Sequence, residues 1–117
     1  MQGTEPIRLL FICSRNQWRS PTGEAIFRRV EGIEARSAGT SKSARRRVSV
    51  GAIRWADLIL VMEEKHSARL RAEFRQEVTY KQVHILDIPD DYAYMDEELI
   101  ELISEKTQPL IEAFETS

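Results

Sequence analysis

The chain has 117 residues, of which 42% are hydrophobic and 31% charged, and its formal net charge is -2. This composition suits one compact domain, residues 1–117, and the sparse glycine and proline exclude a disordered or fibrous chain. No apolar run is long enough to span a membrane, and the first ten residues lack a signal-peptide pattern. One cysteine excludes an internal disulfide and fits the reducing cytoplasm. We also expect a monomer.

The charge is unevenly distributed along the chain. Residues 1–86 carry 16 basic and 9 acidic side chains, whereas residues 87–117 carry 1 basic and 10 acidic side chains. Two interpretations stay open. The one we favour is an acidic, solvated last helix, and the other is a positive face that attracts anionic ligands.

The first strand and helix are clearly marked in the sequence. Residues 7–13 are nearly all apolar, which predicts a strand buried on both faces. After a polar break, Ser20 is expected to cap a helix that has Pro21 in its first turn and runs to about Val30. The helix side chains expected to face the core are Ala25, Ile26 and Val30.

The remaining elements alternate in the same way. Patterning predicts strands at residues 32–40, 57–62 and 82–88, and helices at residues 46–56, 63–74 and 96–114. Pro109 should kink or interrupt the last helix, because proline lacks the backbone N–H that the helix needs.

This alternation predicts a single three-layer α/β/α domain with a four-stranded parallel sheet, and we expect the flavodoxin-like strand order 2-1-3-4. Ligands of such sheets bind beyond the carboxyl ends of the strands. Cys13 and the loop at residues 89–91 both lie at such ends.

Cys13 precedes Arg19 by six residues. A helix N-terminus and a nearby arginine favour the thiolate, which is the nucleophilic form of cysteine. A short loop before a helix can direct N–H groups at an anion, and a guanidinium can hold two phosphate oxygens. The spacing alone is a weak signal, but its context indicates a cysteine nucleophile in a phosphate site. The alternative is a buried structural cysteine.

The segment FICSRNQWRSPTGEAIF resembles the phosphate-binding loop of the low-molecular-weight protein tyrosine phosphatases. RSAGT, ADLILVMEE and IPDDY follow in the family's order, so the resemblance covers about Ile7 to Tyr92, and it is closest to a compact bacterial branch. It implies hydrolysis of phosphate monoesters, with phosphotyrosine as the first expectation, through a cysteinyl-phosphate intermediate. The implied partner is a phosphorylated protein or a small phosphate monoester, with no cofactor and no metal.

The resemblance also implies roles for single residues. Cys13 would be the nucleophile, Arg19 would clamp the phosphate, and Ser20 would donate its hydroxyl to the Cys13 thiolate. Asn16 would brace the loop, since asparagine tolerates left-handed backbone. The plainer interpretations of Ser20 and Asn16 are a helix cap and a turn residue. Substrate contacts are expected from Ser14, Arg15, Asn16, Gln17, Trp18, Ser20 and Tyr92.

The general acid is expected in the fourth loop, where the resemblance favours Asp90, followed two residues later by the aromatic Tyr92. Asp91 replaces the family's usual proline, so the acid stays open between Asp90 and Asp91, with Asp87 a more distant third. A plain polar turn is the alternative.

Two loop positions depart from the family pattern. Arg15 replaces a usual glycine, and it either favours substrates with additional negative charge or is simply solvated. Trp18 stands where many members have a second cysteine, and it either walls the substrate pocket or packs on the helix.

Other functions stay open. A non-catalytic phosphate or phosphopeptide-binding module would use the same loop. An arsenate reductase is less favoured, because the thioredoxin-coupled form needs several cysteines. The basic run at residues 42–47 lacks interleaved aromatic residues, so we expect no nucleic-acid binding. His66 and His84 lack ligand-like spacing and are expected to be helix-surface and strand residues rather than catalysts.

Overall fold

Four parallel strands form one sheet: β1 (Ile7–Cys13), β2 (Ile33–Gly39), β3 (Leu58–Val61) and β4 (Gln82–Ile85). Their order across the sheet is β2-β1-β3-β4, which confirms the predicted topology. The computed structural model describes residues 5–117. Residues 1–4 lie outside this range. They belong to the predicted domain 1–117, and the expectation of no leader segment also concerns them. None of the helices within 5–117 is long and apolar enough to cross a membrane.

Within residues 5–117, five helices cover the two faces of the sheet: α1 (Arg19–Phe27), α2 (Val50–Trp55), α3 (Glu64–Glu73), α4 (Arg75–Val78) and α5 (Glu97–Glu115). One core cluster joins the odd-numbered side chains of β1 to α1 and α5. The other joins the even-numbered side chains of β1 to α2, α3 and α4. Because successive strand residues point to opposite faces, the continuous apolar sequence of β1 supplies both clusters. The predicted three-layer architecture is therefore confirmed.

The register places the end of β1 beside the end of β2, where Cys13 pairs with Gly39. A Cβ on Gly39 would lie 2.6 Å from the carbonyl oxygen of Ser14 and 2.6 Å from the Cβ of Ala44. Glycine is required here because the chain that leaves β1 passes directly over the end of β2.

The first helix differs from its prediction at both ends and on its inward face. It begins at Arg19 and ends at Phe27, and Trp18 precedes it without a side-chain cap. Gly23 allows a close approach to the sheet, since a Cβ there would lie 2.6 Å from the Phe11 ring. The helix therefore turns its Gly23 side inward, and Val30 is 46% exposed rather than buried. Of the other side chains predicted to face the core, Ala25 and Ile26 are half-buried.

Three further predictions need correction. The second helix begins at Val50, because the Ser49 hydroxyl caps it by accepting from the N–H of Ala52 at 3.1 Å. The short helix α4 was not predicted at all. Pro109 does not interrupt α5. The carbonyl that loses its helical hydrogen bond belongs to Glu105, which is exposed, so water can replace that bond.

Candidate active site

The loop between β1 and α1 runs from Cys13 to Arg19 and has a left-handed residue at its centre. Asn16 has a φ of +55°, as expected of an asparagine at this position. Its side-chain amide donates to the hydroxyl of Ser20 at 3.0 Å and to that of Ser37 at 2.9 Å. Asn16 thus ties the loop to both α1 and β2, and it is 5% exposed.

Cys13 is buried at the floor of the loop, with 3% of its surface exposed. Its sulfur lies 3.0 Å from the hydroxyl oxygen of Ser20. Because that oxygen already accepts from Asn16, the Ser20 hydrogen has two acceptors in reach, the Cys13 sulfur and the carbonyl of Ala38 at 3.3 Å. A hydroxyl held in this way stabilises negative charge on the sulfur.

Arg19 is the largest fully buried side chain, with 2% of its surface exposed. Its Nη1 donates to the carboxylate of Glu63 and, at 2.8 Å, to the carbonyl of Ile88. The Nε atom lies 3.5 Å from Oδ1 of Asp90, yet it has no hydrogen-bond partner among residues 5–117. Nε and Nη2 form one edge of the guanidinium. An edge of this kind is a fork with the geometry to bind two oxygens of a phosphate or carboxylate.

Glu63, which directly precedes α3, was not among the predicted site residues. Burial raises the pKa of its carboxyl group, but the hydrogen bond from Arg19 and the charge of Arg19 outweigh burial and hold that pKa below its usual range. Glu63 is therefore ionised at neutral pH and fixes the orientation of Arg19. The available signal was its position just beyond β3, at the same sheet edge as Cys13.

His66 corrects a further expectation, because it is not a helix-surface residue but is only 1% exposed. Its Nδ1 accepts from the backbone N–H of Glu63 at 3.0 Å, and its Nε2 lies 2.9 Å from the hydroxyl of Ser14. Burial, and then the charge of Arg19, lower the pKa of His66 to about 4. A neutral ring that accepts at Nδ1 carries its hydrogen on Nε2, so His66 donates to Ser14. His84, in contrast, lies in β4 as expected.

Of the three candidate acids, the structure brings only Asp90 to Arg19 within the described range. The Asp90 side chain is 54% exposed, so it lies at the mouth of the site rather than inside it. Asp91 is exposed, and Asp87 is an exposed residue with a φ of +58°.

The aromatic candidates lie on different sides of this arrangement. Tyr92 packs against the core cluster beneath α1 and α5, and its hydroxyl donates to Glu98 at 3.0 Å. That hydrogen bond raises the pKa of Tyr92. Trp18 is 43% exposed and lines a pocket of about 670 Å³ together with Gln17 and Tyr94.

Arg15 is exposed, and its carbonyl accepts from the N–H of Arg45 at 3.1 Å, which joins the loop to the segment after β2. Within residues 5–117 no group of three or more His, Cys, Asp or Glu side chains is arranged to hold a metal ion. One loop thus carries a buried sulfur and a buried guanidinium, and one exposed carboxylate lies 3.5 Å from that guanidinium.

Comparison with known proteins agrees with this geometry. Residues 8–54 match the family model described as low molecular weight phosphotyrosine protein phosphatase, a range that includes the whole loop. No curated protein sequence matches the chain significantly.

Several solved structures share the fold. They include the YwlE arginine phosphatase from Geobacillus stearothermophilus (21% identity, 96% of this chain and 98% of that chain, TM-score 0.72). The tyrosine phosphatase Wzb from Escherichia coli K30, in complex with phosphate, is 23% identical over 91% of this chain and 96% of its own, with a TM-score of 0.72. YfkJ from Bacillus subtilis is 23% identical over 99% and 98%, with a TM-score of 0.73. Residues 8–54 therefore match the low molecular weight phosphotyrosine protein phosphatases in sequence, and the chain shares its fold with these solved structures over nearly its whole length.

Proposed function

We propose that the protein hydrolyses phosphate monoesters, with phosphotyrosine as the first substrate, and that Cys13 is the nucleophile. The observation that carries this proposal is that Nε of Arg19, a buried donor in the loop that begins at Cys13, has no hydrogen-bond partner among residues 5–117. An unsatisfied buried guanidinium edge is costly unless an anion binds it. Phosphate has the geometry and the charge to do so.

In the first step the Cys13 thiolate attacks phosphorus in line with the ester bond. The S–P bond forms, the P–O bond to the leaving group breaks, and Asp90 gives its proton to the departing oxygen. Arg19 and the backbone N–H groups of the loop bind the three remaining phosphoryl oxygens, where negative charge develops.

In the second step Asp90, now a carboxylate, takes a proton from water. The water oxygen attacks phosphorus and the S–P bond breaks, which releases inorganic phosphate and restores the thiolate. The Ser20 hydroxyl, 3.0 Å from the sulfur, stabilises the thiolate both as reactant and as leaving group.

Hydrolysis of p-nitrophenyl phosphate, of a phosphotyrosine peptide and of a phosphoarginine peptide tests this function. The third substrate is included because one protein of the same fold is an arginine phosphatase. We expect turnover of the first two in the absence of added metal. Cys13→Ser should abolish turnover and retain vanadate binding.

Two results would overturn the proposal. One is full activity of the Cys13→Ser variant. The other is vanadate binding by the wild-type protein without turnover of any of the three substrates, which would instead indicate a phosphate-binding module.

We also propose that residues 1–117 act as one cytoplasmic, monomeric domain on phosphorylated proteins or small phosphate monoesters, without a cofactor. A reducing compartment keeps a single catalytic thiol available. Light scattering at micromolar concentration checks the monomer, and a dimer mass would contradict it.

A further inference from the structure

A second pocket of about 440 Å³ adjoins the loop on the side of Ser14 and has a positively charged lining. Lys42 from the segment after β2, together with Lys65 and Arg69 from α3, contributes to this lining, and none of the lining residues is acidic. Ser14, one of the lining residues, directly follows Cys13 in the chain, so the pocket shares the loop of the proposed nucleophile.

Ser14 provides this pocket with an oriented hydrogen-bond donor. The buried Nε2–H of His66 donates to the Ser14 hydroxyl oxygen at 2.9 Å, because Nδ1 of the same ring is occupied by the N–H of Glu63. The hydroxyl has a single hydrogen, and the bond from His66 does not use it. That hydrogen is therefore available to an acceptor in the pocket, which both residues line.

The cations of the pocket are only partly neutralised. Lys65 lies 4.0 Å from Oε1 of Glu63, whose other oxygen binds Arg19, and Arg69 is paired with Glu73. Lys42 forms no ion pair with any residue of the range 5–117. The pocket thus combines an unpaired ammonium, a weakly paired ammonium and an oriented hydroxyl, a set that suits an anion.

We propose that this pocket binds a second anionic group of the substrate, a carboxylate or phosphate carried close to the phosphoryl group that is hydrolysed. The inference rests on the proposed function and deepens it. The substrate is then a phosphorylated peptide with an acidic or second phosphorylated residue next to the phosphotyrosine. Because the cations are largely exposed, each contributes a modest part of the binding energy.

Two matched phosphotyrosine peptides test the inference. In one, Glu stands on both sides of the phosphotyrosine; in the other, Gln stands on both sides. We expect the wild-type protein to prefer the Glu peptide by about tenfold in kcat/KM at low salt, through KM, and less at high salt. The double variant Lys42→Ala/Lys65→Ala should reduce this ratio to about 2 or less. Ser14→Ala should lower it by about threefold, as expected for one lost hydrogen bond.

Arg71→Ala is the matched control, because Arg71 lies on the same helix and lines a different pocket. It should keep the wild-type ratio. A third peptide, with phosphoserine in place of Glu, shows whether the pocket prefers a phosphate or a carboxylate. Preference for either acidic peptide over the Gln peptide supports the inference.

Equal kcat/KM for the Glu and Gln peptides in the wild-type protein would overturn the inference, and so would a preference that persists in the double variant. Hydrolysis of p-nitrophenyl phosphate in the same samples shows whether the proposed function survives such a result. If no substrate is hydrolysed, binding of the same peptides to the Cys13→Ser protein decides the inference. The dissociation constant of the Gln peptide should then exceed that of the Glu peptide by the same ratio.

Discussion

Glu63 and His66 are joined by a hydrogen bond of 3.0 Å, from the backbone N–H of Glu63 to Nδ1 of His66, and their side chains bind opposite ends of one loop. The Glu63 carboxylate accepts from Arg19, 44 residues earlier in the chain, and His66 bonds to Ser14, 52 residues earlier. The start of α3 therefore fixes both the beginning and the end of the loop between β1 and α1.

The first prediction concerns the Glu63 contact. Glu63→Gln removes the negative charge that orients Arg19. The buried guanidinium then keeps a neutral hydrogen-bond acceptor in place of an ion pair. We expect kcat/KM for p-nitrophenyl phosphate to fall by about tenfold, because a misplaced fork stabilises the transition state less well. Glu73→Gln, which breaks only the exposed contacts to Arg69 and Arg47, is the control and should change activity by less than about twofold. Equal effects of the two variants would contradict this account.

The second prediction concerns the fork itself. Arg19→Lys keeps the positive charge but loses the planar pair of donors, so we expect kcat/KM to fall by about hundredfold or more. Arg29→Lys, at an exposed arginine just beyond α1, should have no effect on steady-state kinetics. An Arg19→Lys enzyme with near wild-type activity would show that charge alone suffices.

The third prediction distinguishes Asp90 from Asp91 as the general acid, using two substrates whose leaving groups differ in how much they need a proton. Asp90→Asn should reduce kcat/KM, which reports the first step, by about hundredfold for a phosphotyrosine peptide, because the phenolic oxygen leaves slowly without a proton. The reduction for p-nitrophenyl phosphate should be smaller, since p-nitrophenolate leaves readily. Asp91→Asn should change either rate by less than about threefold, and a larger loss in that variant would move the acid to Asp91.

The fourth prediction concerns the pH dependence of stability. The pKa of His66 is about 4 in the folded protein, against an ordinary value of 6.5. Between these values the unfolded chain binds a proton that the folded protein does not bind. The free energy of unfolding should therefore fall as the pH drops from 6.5 to 4, by about 2–3 kcal/mol, and this contribution should be constant above that window. Urea titrations at several pH values measure it.

His66→Gln is the reference for that measurement, because glutamine has no ring to protonate. The variant should be less stable than the wild-type protein at pH 7 and should show a shallower slope of stability against pH between 4 and 6.5. The same slope in both proteins would mean that other groups carry the pH dependence.

The fifth prediction compares two glycines. Gly39→Ala forces a Cβ to within 2.6 Å of the Ser14 carbonyl, and we expect it to destabilise the fold by about 1–3 kcal/mol and to lower activity. Gly51→Ala introduces a Cβ whose nearest neighbour is 3.9 Å away, inside α2, and should stabilise the protein by about 0.5–1 kcal/mol. Thermal unfolding of both variants tests the contrast.

β1 and β3 could be predicted from sequence because each is a continuous apolar run and is buried. β1 has its predicted bounds, and β3 lies inside its predicted segment. The bounds and the inward face of α1 were harder to predict. They depend on how closely Gly23 approaches the Phe11 ring, and the hydrophobic periodicity of the sequence does not show this contact.

The loop residues could be identified from their sequence context and from the family resemblance, whereas Glu63 and His66 could not. Both stand in a segment of alternating charge, which is typical of an exposed helix. Their burial results from partners in another element, and local sequence does not reveal those partners. His66 in particular lies in a sequence segment typical of a helix surface, yet it is buried and contacts Ser14.

The single thiol has a practical consequence. Cys13 is the only cysteine among 117 residues, so an alkylating reagent or a maleimide dye modifies one position and leaves no background signal. Its sulfur lies at the floor of the loop, and an oxyanion held above it would block access. The rate of mass gain in iodoacetamide, followed by mass spectrometry, thus measures how fully the loop is occupied without any mutation or tag.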